Sequence, residues 1–138
     1  MTPAPAPNPQ HREVRRHLEK ILASAAFANA TRAQQFLRFV IEETLAGRAS
    51  DIKEPLVAAR VFNLTNGFDR RSNSIVRAEA THVRRRLRDY YAGAGASDPV
   101  IVELPRGGYA PSIRTLARSG TSRRPWAAFL AWLRRPHA

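Results

Sequence analysis

The sequence predicts a mainly helical domain closed by a small β-hairpin, and three observations carry that expectation. Residues 72–91 (SNSIVRAEATHVRRRLRDYY) set apolar side chains at helical spacing under a load of arginine. Residues 100–113 (VIVELPRGGYAPSI) place strand-forming residues on both sides of a PRGG turn. Three amphipathic stretches come before them. A basic helix followed by a basic-tipped hairpin is what a winged helix-turn-helix domain needs to hold DNA, here with an extra helix at the N-terminus.

The first helix is expected to start at Asn8 as N-cap with Pro9 in its first turn, and to run to about Ser24. Its buried stripe would be Val14, Leu18, Ile21 and Leu22. The second begins at Thr31, where Thr31 and Gln34 match a capping box, and continues through Phe36, Leu37, Val40, Ile41, Thr44 and Leu45 until Gly47 stops it. A third, shorter helix spans roughly 53–62 with Pro55 tolerated in its first turn, turning Leu56, Val57, Val61 and Phe62 inward. The loop NLTNGFDRR leads into the long basic helix, with Ser72 or Asn73 as its N-cap and Gly93 and Gly95 ending it. Val76, Ala80, Val83, Leu87 and Tyr90 or Tyr91 draw its apolar stripe; Arg77, Thr81, Arg85 and Arg88 fall on the opposite side. Asp98-Pro99 resets the chain to extended structure, residues 100–104 form the first strand, and residues 109–113 return as the second, held to an edge by Pro111.

Charge separates a nucleic-acid face from an ordinary solvated one. Between residues 70 and 91 the seven arginines Arg70, Arg71, Arg77, Arg84, Arg85, Arg86 and Arg88 meet only Glu79 and Asp89, a net +5. A solvated helix interleaves both signs, and here the acids are too few for that. The whole chain carries 23 basic and 11 acidic residues, a net +12, which attracts polyanions, whether nucleic acid or an anionic membrane surface. All basic residues but Lys20 and Lys53 are arginines, the side chain suited to bidentate contacts.

With 138 residues, 43% of them apolar, the chain suits one compact domain at 9–115, preceded by a disordered Pro/Ala arm at 1–8 and followed by a basic tail at 116–138. The absence of cysteine excludes a disulfide framework and thiolate metal sites, and the MTPAPAPNPQ start lacks the regions of a signal peptide, so a cytoplasmic location is the default expectation. His11, His17, His82 and His137 are dispersed, and neither an HExxH motif nor a phosphate-binding glycine loop occurs; neither an enzyme nor a cofactor is expected. Within the tail, segment 125–134 sets Trp126, Phe129, Leu130 and Leu133 on one helical face between arginine pairs. It is far shorter than the roughly 20 residues that cross a bilayer. Two readings of it stand side by side, a helix docked on the domain or a partner, and weak membrane-surface contact.

The element order resembles the winged-helix effector domain of OmpR/PhoB-type response regulators, whose recognition helix and wing correspond here to Val83-Arg84-Arg85-Arg86-Leu87 and Pro105-Arg106-Gly107-Gly108-Tyr109. A closer likeness covers roughly residues 14–113. The segments FLRFVIEETLAGRASDIKEPLVAARVFN and FDRRSNSIVRAEATHVRRRLRDYYAGAGASDPVIVELPRGGYAP look like a bacterial N-terminal domain that often precedes a transmembrane helix, tetratricopeptide repeats or a TolB-like propeller, in some cases under an adenylate-cyclase label. Asn73-Ser74 stands where those relatives tend to have Asp-Pro, and Pro55 where they have another residue; the chain ends soon after the domain, as a stand-alone or a shortened form. The resemblance implies a winged-helix fold, and a DNA-binding transcriptional regulator with residues 73–91 in the major groove and residues 100–113 as wing on the flanking backbone or minor groove. By that analogy Thr81 and Arg85 would read base edges beside Arg77, Arg84 and Arg88 would grip phosphates, and Arg106 would sit at the wing tip. A homodimer would give such a reader longer sites, although the sequence specifies no interface.

Two further expectations follow from the residues. Glu79, at the margin of the apolar stripe, needs a partner, with Arg86 or an arginine of a neighbouring helix as candidates. The rival to DNA binding is an interaction module that docks a protein or sits beside a membrane through the tail; in that case several helix arginines would be engaged by Glu42, Glu43, Glu54 or Asp69.

Overall fold

The computed structural model describes residues 9–64 and 70–116. In chain order these form α1 (Pro9–Ala23), α2 (Thr31–Leu45), a single 3-10 turn (Ala49–Asp51), α3 (Glu54–Phe62), α4 (Arg70–Ala92), β1 (Val100–Glu103) and β2 (Ser112–Thr115). The architecture is mainly helical with a two-stranded antiparallel sheet at its C-terminal side.

The core is organised around α2, which buries Ala33, Phe36, Leu37, Val40 and Ile41 and packs on α1, α3 and α4. The stripes anticipated for α1 (Val14, Leu18, Ile21, Leu22) and α4 (Val76, Ala80, Val83, Leu87) are buried, together with both Tyr90 and Tyr91. In α3 Val57 and Ala58 are buried, Val61 and Phe62 pack on the core half-covered, and the Arg32 guanidinium of α2 lies 5.8 Å over the Phe62 ring. Phe27, in the turn between α1 and α2, is fully buried; no periodic pattern marks it, because it belongs to a connection.

Several boundaries differ from expectation. The proposed N-cap Asn8 lies outside the described residues. No capping box forms at Thr31. Ala30 occupies the N-cap without a side-chain bond, and Gln34 Nε2 instead donates to the Phe27 carbonyl at 2.8 Å. The turn that buries Phe27 presents its carbonyl inward, and the Gln34 amide satisfies that acceptor in place of capping. α3 starts one residue later than expected, with extended Lys53 before it and Pro55 in its first turn, where no N–H is needed.

α4 begins no later than Arg70, so Ser72 and Asn73 lie inside it and do not cap it. Ser72 falls four residues before Val76 on the buried face and is only 4% exposed, so packing draws it into the helix. The second strand is Ser112–Thr115 and not 109–113: Glu103 pairs with Ser112 and Val100 with Thr115, which leaves residues 104–111 as a long hairpin loop. Pro111 lacks a donor for the ladder, and Tyr109 turns inward to meet the Phe36 ring edge-on at 6.3 Å, so pairing starts only beyond both.

The end of α4 is locked to the sheet by hydroxyls. Tyr91 Oη donates to the Val100 carbonyl at 3.0 Å and accepts from the Val102 amide at 2.8 Å. Tyr90 Oη donates to Asp98, whose other oxygen takes Lys20 Nζ of α1 at 2.5 Å. One buried carboxylate thus ties the first helix, the last helix and the approach to β1 together.

Candidate functional site

The site is built on α4, a 23-residue helix with one buried face. At about 100° per residue, Arg77, Thr81 and Arg88 fall within about 40° of one another on its other face, with Arg85 about 40° further round. All four are exposed. Arg85 and Arg88 make no hydrogen bond or ion pair among the described residues, and the same holds for Arg106, which is exposed at the wing turn beside Gly107 at φ +90°. That φ is open to glycine at no steric cost.

The remaining two predicted residues are held by the protein. Arg84 is half-buried: its Nε donates to the Leu104 carbonyl at 2.9 Å, and its Nη2 donates to those of Pro105 and Gly108, each at 3.2 Å. Burial holds its guanidinium somewhat below the usual arginine range. Arg84 therefore clamps the hairpin loop; its place on the hairpin-facing side of α4 brings three loop carbonyls within reach. Arg77 Nε donates to Glu54 Oε1 at 3.0 Å, and the same oxygen accepts Tyr109 Oη at 2.5 Å. Burial, then the Glu54 bond, push the Tyr109 phenol up to about 12. Thr81 Oγ1 donates back to the Arg77 carbonyl at 3.1 Å.

Three elements converge here. The first turn of α3 supplies Glu54, α4 supplies Arg77, Thr81 and Arg84, and the hairpin loop supplies Gly108 and Tyr109; they line an open groove of about 420 Å³. Glu54 and Tyr109 were not anticipated as site residues. Their signal was present only as an acid and an aromatic outside the arginine run, with nothing in the sequence to show that they meet.

Glu79 has a partner, but not the expected one. His82 Nδ1 lies 3.6 Å from Glu79 Oε2 across one helical turn, while Arg86 Nη1 donates to the Ala26 carbonyl at 2.8 Å. Arg86 instead serves a part-buried carbonyl of the connection between α1 and α2. The other acids named as possible partners of the helix arginines pair elsewhere: Glu42 takes Arg15 at 3.1 Å and Glu43 takes Arg48 at 2.6 Å. Asp69 and the tail residues Trp126, Phe129, Leu130 and Leu133 lie outside the described residues.

Among the described residues no group of three His, Asp or Glu side chains is placed to hold a metal ion, and no helix is long and apolar enough to cross a membrane. Comparison with protein families, with curated proteins and with solved structures finds no match to this chain.

Proposed function

We propose that this chain is a winged-helix DNA-binding protein of the OmpR/PhoB-like kind, with α4 as recognition helix in the major groove and the β1–β2 hairpin as wing, acting as a transcriptional regulator. The observation that carries the reading is the set of exposed arginines without a hydrogen-bond or ion-pair partner among the described residues, Arg85 and Arg88 on α4 and Arg106 in the hairpin loop. A helix of about 10–12 Å diameter fits a major groove about 12 Å wide, and unpaired guanidinium groups supply what phosphates and guanine edges accept. The interaction-module alternative requires several α4 arginines to be tied up by acids of neighbouring helices. On the exposed face of α4 Arg77 is so engaged, by Glu54, whereas Arg85 and Arg88 make no ion pair among the described residues.

The test is fluorescence-anisotropy binding of the full chain to random-sequence duplex DNA over a salt series, beside Arg85→Ala/Arg88→Ala/Arg106→Ala. None of the three side chains makes a hydrogen bond or ion pair among the described residues, so the variant is expected to keep its stability. The wild-type affinity is expected to fall steeply with salt, and the logarithmic slope of the variant to be shallower by about 1 for each phosphate contact removed. Absence of binding at low salt, or equal slopes in both proteins, overturns the reading and turns attention to liposomes and protein partners of the tail.

A further inference from the structure

We infer that Glu54 is a positioning residue that aims Arg77 at one guanine of the bound duplex, and that the wing sets this aim through Tyr109. The inference rests on the DNA-binding reading above and adds the element of base specificity to it.

An acid inside a cationic DNA-facing groove lowers affinity for phosphates, so affinity does not account for Glu54. Orientation does. Glu54 Oε1 accepts Arg77 Nε at 3.0 Å, which leaves both Nη groups without a partner among the described residues on a side chain that is still 64% exposed. A guanidinium held by its Nε presents the remaining Nη pair as a fixed two-pronged donor, the pattern that matches guanine O6 and N7. Glu54 is itself held: Tyr109 Oη donates to the same oxygen at 2.5 Å, and the Tyr109 ring rests against Phe36 of the core. The chain of contacts runs from core to wing to acid to arginine, so the fork is ordered before DNA arrives and less side-chain freedom is lost on binding. Arg85 and Arg88 lack such a brace among the described residues. They suit phosphates, which demand charge but little direction.

Selection of bound duplexes from a randomised pool, done with the full chain, tests this beside direct affinity for random duplex. Wild type is expected to return guanine at one position of each bound site. Arg77→Lys keeps the charge and removes the fork, and Glu54→Ala frees the fork. Each should lower the preference for that guanine on the order of tenfold or more. Random-duplex affinity should be kept in Arg77→Lys and should rise in Glu54→Ala, where an acid is removed; misfolding would lower both quantities. Glu54→Gln retains the acceptor oxygen and should keep part of the preference, and Tyr109→Phe should fall between wild type and Glu54→Ala. If Glu54→Ala does not fold, Arg77→Lys and Tyr109→Phe decide the matter. An unchanged guanine preference in Glu54→Ala or Tyr109→Phe overturns the inference, as does a loss of preference that only tracks lost random-duplex affinity. Random-duplex binding by wild type with no guanine preference overturns the inference alone; no binding by wild type overturns the DNA reading and the inference with it.

Discussion

Arg84 and Arg85 are adjacent on α4 and differ by about 100° in direction. That rotation turns Arg84 onto the hairpin loop, where its guanidinium serves the carbonyls of Leu104, Pro105 and Gly108, and leaves Arg85 exposed. Replacing Arg84 by Ala removes the partner of the part-buried Leu104 carbonyl and leaves those of Pro105 and Gly108, which are exposed, to water. We expect a loss of about 1–2 kcal/mol in urea melts and faster amide exchange across residues 104–109. Arg84→Lys should recover little, because one ammonium cannot span three carbonyls in the guanidinium plane. Arg85→Ala should leave stability within about 0.5 kcal/mol of wild type. Equal melts for the Arg84 and Arg85 variants would refute the division of roles. The Glu79–His82 contact, at 3.6 Å, joins a half-exposed imidazole to a carboxylate that is only 14% exposed, and Glu79→Gln, which keeps its shape and an acceptor oxygen, should cost less than about 1 kcal/mol in urea melts.

The C-terminus of α4 shows how an element boundary is decided by packing. Gly95 N donates to the Tyr90 carbonyl at 2.8 Å, and a Cβ at Gly95 would overlap the Tyr90 ring, which is 1% exposed and bonded to Asp98. The ring has nowhere to go. Gly95→Ala is therefore expected to cost about 1–3 kcal/mol, read as a lowered urea midpoint. Gly93→Ala, whose added methyl meets only the Asp89 carbonyl at ordinary contact distance, should be mild by comparison. Similar costs for the two would show that loss of glycine flexibility, and not the clash with Tyr90, is the cause. Phe27, fully buried between α1 and α2, should cost about 3–5 kcal/mol as Ala. A smaller loss would show that the turn collapses around the void.

Across the molecule, Tyr90 and Tyr91 are buried and Tyr109 partly so, all three are hydrogen-bonded, and burial is the first cause that raises the phenol of each. Tyr109 is pushed up to about 12, and Tyr90 and Tyr91 are raised as well. The sign follows from linkage. A phenol whose folded value lies above its unfolded value of about 10 contributes stability that is complete below pH 10 and is lost as pH rises toward the folded value. Stability should therefore stay level with respect to these groups up to about pH 10 and then fall steeply. Far-UV circular dichroism and tyrosinate absorbance followed together should change in one transition. Tyrosinate that forms well before the helices melt would show that the hydroxyls at Asp98, Val100 and Glu54 are open to solvent.

Element types and their order were legible in the residues, because periodicity of apolar side chains is a local property: the α1 and α4 stripes, α2 as the central helix, and a hairpin after the basic helix all follow from spacing. The exposure of Arg77, Thr81, Arg85, Arg88 and Arg106 followed from the same patterns. What spacing cannot encode is which distant groups meet. Glu54 and Arg77 stand 23 positions apart and Tyr109 and Glu54 stand 55 apart, and they join only when α3, α4 and the wing converge. Ser72 enters the helix, Gln34 leaves its capping role, and β2 starts beyond Pro111 for the same reason. Each local preference, worth about 1 kcal/mol, yields to a buried contact or an unsatisfied carbonyl that costs more.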